Sequence, residues 1–178
     1  MDTNSPALIA SPGEFETIIR PATAEDLPKL EWFGRYWRYR DIFKRTFEEQ
    51  QRGRRLMLVA DLDGFPVGQV FIQFESVEKR YADGSHRAYL YSLRVMEEFR
   101  GRGLGTQLVE SAEKTIIERG YRWATIAVAQ DNAGALRLYQ RLGYDVFGED
   151  PGQWSFVDPA GIRHQINEPA WLMHKRLA

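Results

Sequence analysis

The sequence predicts a mixed α+β domain whose centre runs strand, helix, strand, helix. Two β-rich runs flank the pair Asp63-Gly64, which is typical of a tight hairpin turn. A glycine-rich turn at 100–105 separates a predicted strand from a segment in which apolar residues recur every four positions. A second amphipathic helix follows the next strand and stops before Gly143. Together these observations indicate a sheet with helices packed against it.

Local signals predict each element in turn. The first strand spans 15–20, and the helix start after it is capped by Thr23 or Asp26, between which the sequence does not decide. Residues 30–52 predict one or two helices rich in Arg, Glu and aromatic residues. The later elements are strands at 55–62, 66–74, 88–95, 123–129, 144–147, 154–157 and 171–177, helices from about 103 to 119 and about 133 to 142, and a turn at 158–161.

Composition limits the class of protein. The chain has 178 residues, 24 Lys and Arg against 25 Asp and Glu, and no cysteine. At roughly 150 residues per domain, this length predicts a single domain, at 14–178. Residues 1–13 are predicted to form a disordered leader. The lack of cysteine excludes disulfides, a thiolate nucleophile and Cys-based zinc sites. The net charge of −1 favours neither nucleic acid nor membrane as a partner.

Targeting and metal signals are also missing from the sequence. The first residues are acidic where a secretory signal is basic, and the apolar runs fall far short of the ~18 residues that span a bilayer. We therefore expect a cytoplasmic protein without a membrane partner. The histidines His86, His164 and His174 are scattered without the spacing of a metal site, so no metal is expected.

The turn Arg100-Gly101-Arg102-Gly103-Leu104-Gly105 has the properties of a phosphate site. Unpaired N–H groups at a helix N-terminus attract anions, glycines let the backbone approach the oxygens, and the two arginines add positive charge. A dinucleotide fingerprint fails because Thr106 stands where its last glycine belongs, and a P-loop fails because the first Lys after the glycines is Lys114, too far along the chain. The diphosphate of coenzyme A fits the remaining pattern. A turn that only lets helix and strand pack is the alternative.

A second motif follows the next strand. Asn132 and Tyr139 are seven residues apart, so on a helix they share one face. Asn132 stands at the N-cap, where it serves either the helix or a ligand amide. Tyr139 is either a core aromatic whose hydroxyl finds a backbone partner or a residue of a site.

With both motifs in this order and spacing, the sequence resembles the GCN5-related N-acetyltransferase (GNAT) superfamily over residues 15–177, most strongly over 88–144. The resemblance implies a mostly antiparallel mixed sheet in which two parallel strands splay apart to hold the pantetheine arm of acetyl-CoA. It implies that main-chain groups of Leu93, Arg94 and Val95 bind the coenzyme on the splayed strand. It implies that Asn132 lies beside the pantetheine and Tyr139 near the sulfur. The residues implied around the diphosphate are those of the turn, Arg100, Gly101, Arg102, Gly103, Leu104 and Gly105.

The implied chemistry is direct attack of a neutral amine on the acetyl thioester. The Val95 N–H would meet the oxyanion and Tyr139 would protonate the departing thiolate. Many family members carry a carboxylate base on the strand before the coenzyme contacts, but here that segment, 89–93, has none. Glu75 and Tyr91 are relay candidates, and no base is assigned.

The predicted function is acetyl-CoA-dependent N-acetyl transfer to a primary amine of an unidentified small molecule or protein. A non-catalytic acyl-CoA-binding or regulatory domain is the alternative. The segment 32–40 interleaves aromatic and basic residues. The resemblance places it at the border of the acceptor site, where it would favour an acidic or nucleic-acid-like acceptor, and the alternative is an amphipathic helix with snorkelling arginines. Nucleic acid is disfavoured as a partner by the near-zero net charge, and a homodimer is left open.

Overall fold

The computed structural model describes residues 16–178. The predicted leader and the first residue of the first predicted strand lie outside the described residues. Within these residues there are nine strands: β1 Ile18–Pro21, β2 Arg55–Leu62, β3 Phe65–Gln73, β4 Arg87–Val95, β5 Trp123–Ala129, β6 Asp145–Asp150, β7 Gln153–Val157, β8 Arg163–Asn167 and β9 Ala170–Arg176. The α-helices are α1 Arg40–Gln51, α2 Leu104–Glu118 and α3 Ala133–Arg141.

Seven of these strands form one sheet, in the order β1-β2-β3-β4-β5-β9-β6, and β7 and β8 form a separate two-stranded ribbon. The β2–β3 hairpin turns at Asp63 and Gly64, whose φ angles of 48° and 85° are both positive, as a tight hairpin requires. β4 and β5 are parallel, and the other paired neighbours in the sheet are antiparallel. The predicted mixed, mostly antiparallel fold is confirmed.

The parallel pair separates along its length. β4 and β5 pair only from Arg87 to Leu90 and from Trp123 to Ile126, so their C-terminal halves diverge. On its other edge β4 carries a bulge, because Ser92 and Leu93 together face the single residue Val70 of β3. Ser92 adopts a left-handed φ of 54° there. The splayed parallel pair expected from the sequence is therefore present.

The buried Gln69 stabilises this bulge. Its side-chain amide nitrogen donates to the carbonyl of Ser92 at 3.2 Å, and its side chain is fully buried in an otherwise apolar stretch of β3. A buried amide is retained in such a place only where it satisfies backbone groups that the sheet leaves unpaired. Gln69 thus fixes the point at which β4 leaves the regular sheet.

The helices cover opposite faces of the sheet. Leu104, Leu108, Ala112 and Ile116 of α2 are buried, in agreement with their predicted four-residue repeat. They share one core cluster with Tyr139 of α3. A Cβ on Gly68 of β3 would lie 3.1 Å from a Leu108 methyl, so glycine permits close helix–sheet contact there. Phe43 of α1 packs in a second cluster on the other face.

Two sequence predictions are wrong. Residues 30–39 do not form an α-helix but two 3-10 turns, Lys29–Glu31 and Trp37–Tyr39, and α1 begins only at Arg40. The reason is tertiary, because Trp32 is buried and its indole N–H donates to the Pro66 carbonyl at 2.9 Å, which holds 32–34 in left-handed conformations.

The second error concerns β8, which the sequence did not predict. The turn at 158–161 is present, with the Gly161 N–H bonded to the Asp158 carbonyl at 2.9 Å, but it leads into β8 rather than directly to the last strand. Arg163–Asn167 contains one apolar residue and therefore lacks the alternation that identifies strands.

The sequence left the first helix cap open between Thr23 and Asp26, and the structure has Thr23 as the cap. The Thr23 N–H donates to the Asp26 carboxylate at 2.7 Å. No helix among residues 16–178 is long and apolar enough to cross a membrane.

Candidate active site

The diverging halves of β4 and β5 enclose a cavity of about 220 Å³. Ser92 and Leu93 of the bulge line it from one side and Ala127 of β5 lines it from the other. Residues of α3 and its N-cap close it, including Asn132 and Tyr139. Because the two strands no longer bond to each other here, their main-chain donors and acceptors face an open cleft that suits an extended amide-containing ligand.

Tyr139 is the buried hydroxyl of this cavity. Its side chain is 8% exposed and packs edge-on against Tyr144, with 6.0 Å between ring centroids. Within the described residues its hydroxyl has no hydrogen-bond partner, and burial alone raises the pKa of Tyr139 to about 12. The phenol therefore keeps its proton at neutral pH and can donate it only to something that enters the cavity.

Asn132 caps α3 and also lines the cavity. Its side-chain oxygen accepts the Ala135 N–H at 3.1 Å and so caps α3. The side-chain NH₂ group is not used by the cap and can donate to a ligand carbonyl. Of the two roles left open by the sequence, the helix-capping one is present in the structure, and the ligand role stays a prediction.

The glycine turn precedes α2 as predicted. Gly101 and Gly103 have φ angles of 73° and 79°, which strain any L-residue. A Cβ at Gly101, Gly103 or Gly105 would meet no heavy atom within 4 Å, so the space around the turn is open. Among residues 16–178 no side chain caps the N-terminus of α2, and its first N–H groups are therefore suited to an anion.

The remaining predicted residues take different positions. Leu104 is buried in the core at the start of α2, so only its main chain can face a ligand. Arg102 lines a neighbouring cavity of about 250 Å³ with Gln107. The Arg100 side chain folds back and donates from Nε to the Val95 carbonyl at 2.9 Å, which ties the turn to the end of β4.

The main chain of Val95 faces away from β3. The next residue, Met96, donates to the Val67 carbonyl of the β3 side at 2.9 Å, and successive residues of a strand direct their backbone groups to opposite edges. The Val95 N–H therefore points to the splayed edge. Its role as an oxyanion donor stays a prediction.

Arg94 directs its side chain to the other face of the sheet. A cavity of about 730 Å³ lies there, lined by Arg94 and by Tyr36 and Tyr39 from the 3-10 segment. Three further lining residues were not predicted from the sequence, namely Arg55 of β2, Trp154 of β7 and Glu168 between β8 and β9. They are distant from one another in sequence, and β8, which directly precedes Glu168, was not predicted.

The two relay candidates are separated by the fold. Glu75 is exposed and paired with Lys79 at 2.9 Å, and this hydrogen bond holds the pKa of Glu75 below its ordinary value. It lines neither cavity. Tyr91 lines both cavities, and its hydroxyl accepts a hydrogen bond from Arg55. In the described part of the chain, no three His, Cys, Asp or Glu side chains form a metal-binding group.

Comparisons with known proteins agree with this geometry. A sequence model of the acetyltransferase (GNAT) family matches residues 24–144, more than half of the chain. A crystal structure of an N-acetyltransferase from Staphylococcus aureus Mu50 superposes with a TM-score of 0.68 at 18% identity, covering 92% of this chain and 99% of that one.

Two further solved structures are similar. Ribosomal-protein-alanine N-acetyltransferase from Brucella melitensis gives a TM-score of 0.67 at 22% identity, with 89% of this chain and 99% of that chain covered. NAA60 from Arabidopsis thaliana, solved in complex with acetyl-CoA, gives 0.67 at 19% identity, with 90% and 98% covered. At these identities the structures establish a shared fold.

Proposed function

The chain belongs to the acetyltransferase (GNAT) family, and from that premise we propose that it transfers the acetyl group of acetyl-CoA to a primary amine. The acceptor belongs to a small molecule or a protein, and the catalytic unit is a single domain over 14–178. The observation that carries the proposal is the buried side chain of Tyr139 in the cleft between two splayed strands, whose hydroxyl has no hydrogen-bond partner among residues 16–178.

The cleft and the turn beside it fit the shape of the cosubstrate. The main chains of Leu93 and Val95 lie along the splayed part of β4, where they can pair with the amides of a pantetheine arm, whereas the main chain of Arg94 faces β3. The open glycine turn from Arg100 to Gly105 and the N-terminus of α2 suit its diphosphate. The free NH₂ group of Asn132 suits a pantetheine carbonyl.

The described side chains also suit the chemistry. When bound, acetyl-CoA supplies an activated acetyl thioester. Tyr139 holds a proton at the buried end of the cleft and can donate it to the sulfur that leaves. The N–H of Val95 points to the splayed edge and can donate to the oxygen that becomes negative.

Acetyl-CoA binding tests the proposal through two glycines of one helix. Gly103 and Gly120 flank α2, have φ angles of 79° and 86°, and would place a Cβ in open space. Gly103→Ala and Gly120→Ala should therefore destabilise the protein equally, by about 1–2 kcal/mol. Only Gly103→Ala crowds the diphosphate, so we expect it alone to weaken acetyl-CoA binding, by about tenfold or more.

Isothermal titration calorimetry with acetyl-CoA measures the affinity, and urea unfolding measures the stability. Wild-type affinity in a folded Gly103→Ala protein would refute the diphosphate site. Equal weakening in both variants would attribute the loss to instability rather than to the ligand. A wild-type protein that does not bind acetyl-CoA would refute the proposed function itself.

A further inference from the structure

The cavity of about 730 Å³ is the larger space that the proposed acetyl transfer leaves unassigned. It shares Tyr91 and Ser92 with the cleft that contains Tyr139, so the two cavities meet at the bulge of β4. An acceptor held in the larger cavity would reach the thioester at this junction. Its volume lies within the range of about 300–1,000 Å³ typical of small-molecule sites.

Arg94 places a positive charge in this cavity, where burial of the guanidinium costs hydration free energy. Its guanidinium carbon lies 3.9 Å from the ring centroid of Tyr36 and 5.5 Å from that of Phe43. Its Nε atom is buried and has no hydrogen-bond partner in the part of the chain that the structure describes. Burial lowers the pKa of Arg94, since the charged form has lost water. Cation–π contacts offset only part of the free energy that the guanidinium loses on leaving water.

Arg55 adds a second guanidinium to the same cavity. It donates to the Tyr91 hydroxyl and lies 5.4 Å from the Tyr91 ring centroid. Within residues 16–178 no carboxylate forms an ion pair with Arg55 or Arg94, whereas Arg40 of the neighbouring segment is neutralised by Glu31 at 2.7 Å. The one carboxylate among the described lining residues is the exposed Glu168, which enters from the ribbon side.

We propose that this cavity binds a small-molecule acceptor that carries an anionic group, a carboxylate or a phosphate, on an aromatic or apolar body in addition to its amine. Arg94 and Arg55 bind the anion, and the rings of Tyr36, Tyr39 and Trp154 contact the body. The inference rests on the proposed function, because it names the acceptor class of that same site.

Binding of simple probes tests the charge requirement without a known substrate. The CoA-bound protein is titrated calorimetrically with 3-phenylpropionate, with 2-phenylethyl phosphate and with 3-phenylpropanamide, the uncharged analogue of the first. We expect at least one anion to bind about tenfold or more tightly than the amide, since hydrogen bonds to charged groups are the stronger ones. The tighter anion identifies carboxylate or phosphate as the natural group.

Substitutions of the two arginines test whether the tighter binding of anions arises in this cavity. Arg94→Met and Arg55→Met keep an unbranched apolar stem but remove the guanidinium charge, and each should reduce anion affinity to that of the amide. Arg54→Met is the matched control, because Arg54 is 67% exposed, pairs with Glu49 and does not line the cavity. Equal binding of amide and anions, no binding of either anion, or anion binding that survives Arg94→Met and Arg55→Met would overturn the inference.

Turnover separates this inference from the function on which it rests. Phenylalanine and phenethylamine share an amine and a ring and differ by one carboxylate. We expect kcat/KM to favour phenylalanine by about tenfold or more, and Arg94→Met to abolish the preference. Turnover of both amines at equal efficiency would refute the anionic acceptor but leave N-acetyl transfer intact. Absence of acetyl-CoA binding would instead refute the function.

Discussion

Replacing Tyr139 by phenylalanine tests whether the buried hydroxyl takes part in the chemistry. The substitution leaves the ring in place against Tyr144 and removes only the oxygen. General acid catalysis contributes roughly 10²–10⁴-fold in rate. With a pKa of about 12 for Tyr139 and about 8.5 for an ordinary thiol, full proton transfer to the thiolate is uphill by about 5 kcal/mol. The hydroxyl then acts mainly as a hydrogen-bond donor, so we expect a loss near the lower limit, about a hundredfold in kcat.

Tyr144→Phe is the matched control. The Tyr144 hydroxyl donates to Glu113 at 2.8 Å, and Tyr144 does not line the cleft. Losing a hydrogen bond to a charged partner costs about 1.5–3 kcal/mol, so Tyr144→Phe should lower the free energy of unfolding and leave kcat unchanged. Tyr139→Phe should do the reverse, because its hydroxyl has no partner in the described residues to lose.

Release of free CoA, followed with a thiol reagent, measures turnover without background because the protein has no cysteine. The amine is the one that gives the fastest release in a panel of amino acids, amines and peptides. Urea unfolding gives the stability, and calorimetry gives acetyl-CoA affinity, which should hardly change in Tyr139→Phe. A kcat within threefold of wild type in Tyr139→Phe, or an equal loss in Tyr144→Phe, would refute the assignment.

Two further predictions concern stability. Burial raises the pKa of Asp83, but hydrogen bonds from the N–H groups of three following residues outweigh it and hold that pKa at about 2. Because solvent screens this partly exposed group, about 1 kcal/mol of stability is present above pH 4 and lost as the pH falls to 2. Asp83→Ala should abolish this acid-dependent part of the unfolding free energy, unlike Glu110→Gln on the exposed face of α2. Leu108→Ala, at a fully buried position against Gly68, should cost about 2–5 kcal/mol in urea unfolding, while Ile117→Ala on the same helix, 44% exposed, should cost less than about 1 kcal/mol; similar losses would contradict the packing described here.

Much of the fold could be predicted because its signals are local. The hairpin at Asp63-Gly64, the four-residue repeat of α2 and the glycine after α3 each lie within one element. The 3-10 segment could not be predicted, because its backbone is held by contacts between Trp32 and the start of β3. β8 was missed for a related reason, since its polar residues form a strand only by pairing with β7.

The candidate site divides in the same way. Asn132 and Tyr139 could be brought together from their seven-residue spacing, because a helix converts spacing directly into a shared face. The direction of the Arg94 side chain could not be predicted from the sequence, because the bulge at Ser92 and Leu93 changes the alternation of side chains along β4. The only sequence trace of this bulge is Gln69, a polar residue inside an apolar strand.

The amino-acid sequence alone determined the β2–β3 hairpin, the helix α2 with its glycine turn, and the shared face of Asn132 and Tyr139, since each depends on neighbours along the chain. The tertiary structure decided where β4 and β5 separate, which face receives Arg94, and that Arg55, Trp154 and Glu168 share one cavity. Those features depend on residues far apart in sequence, whose proximity is set by sheet pairing and burial rather than by local conformational preference.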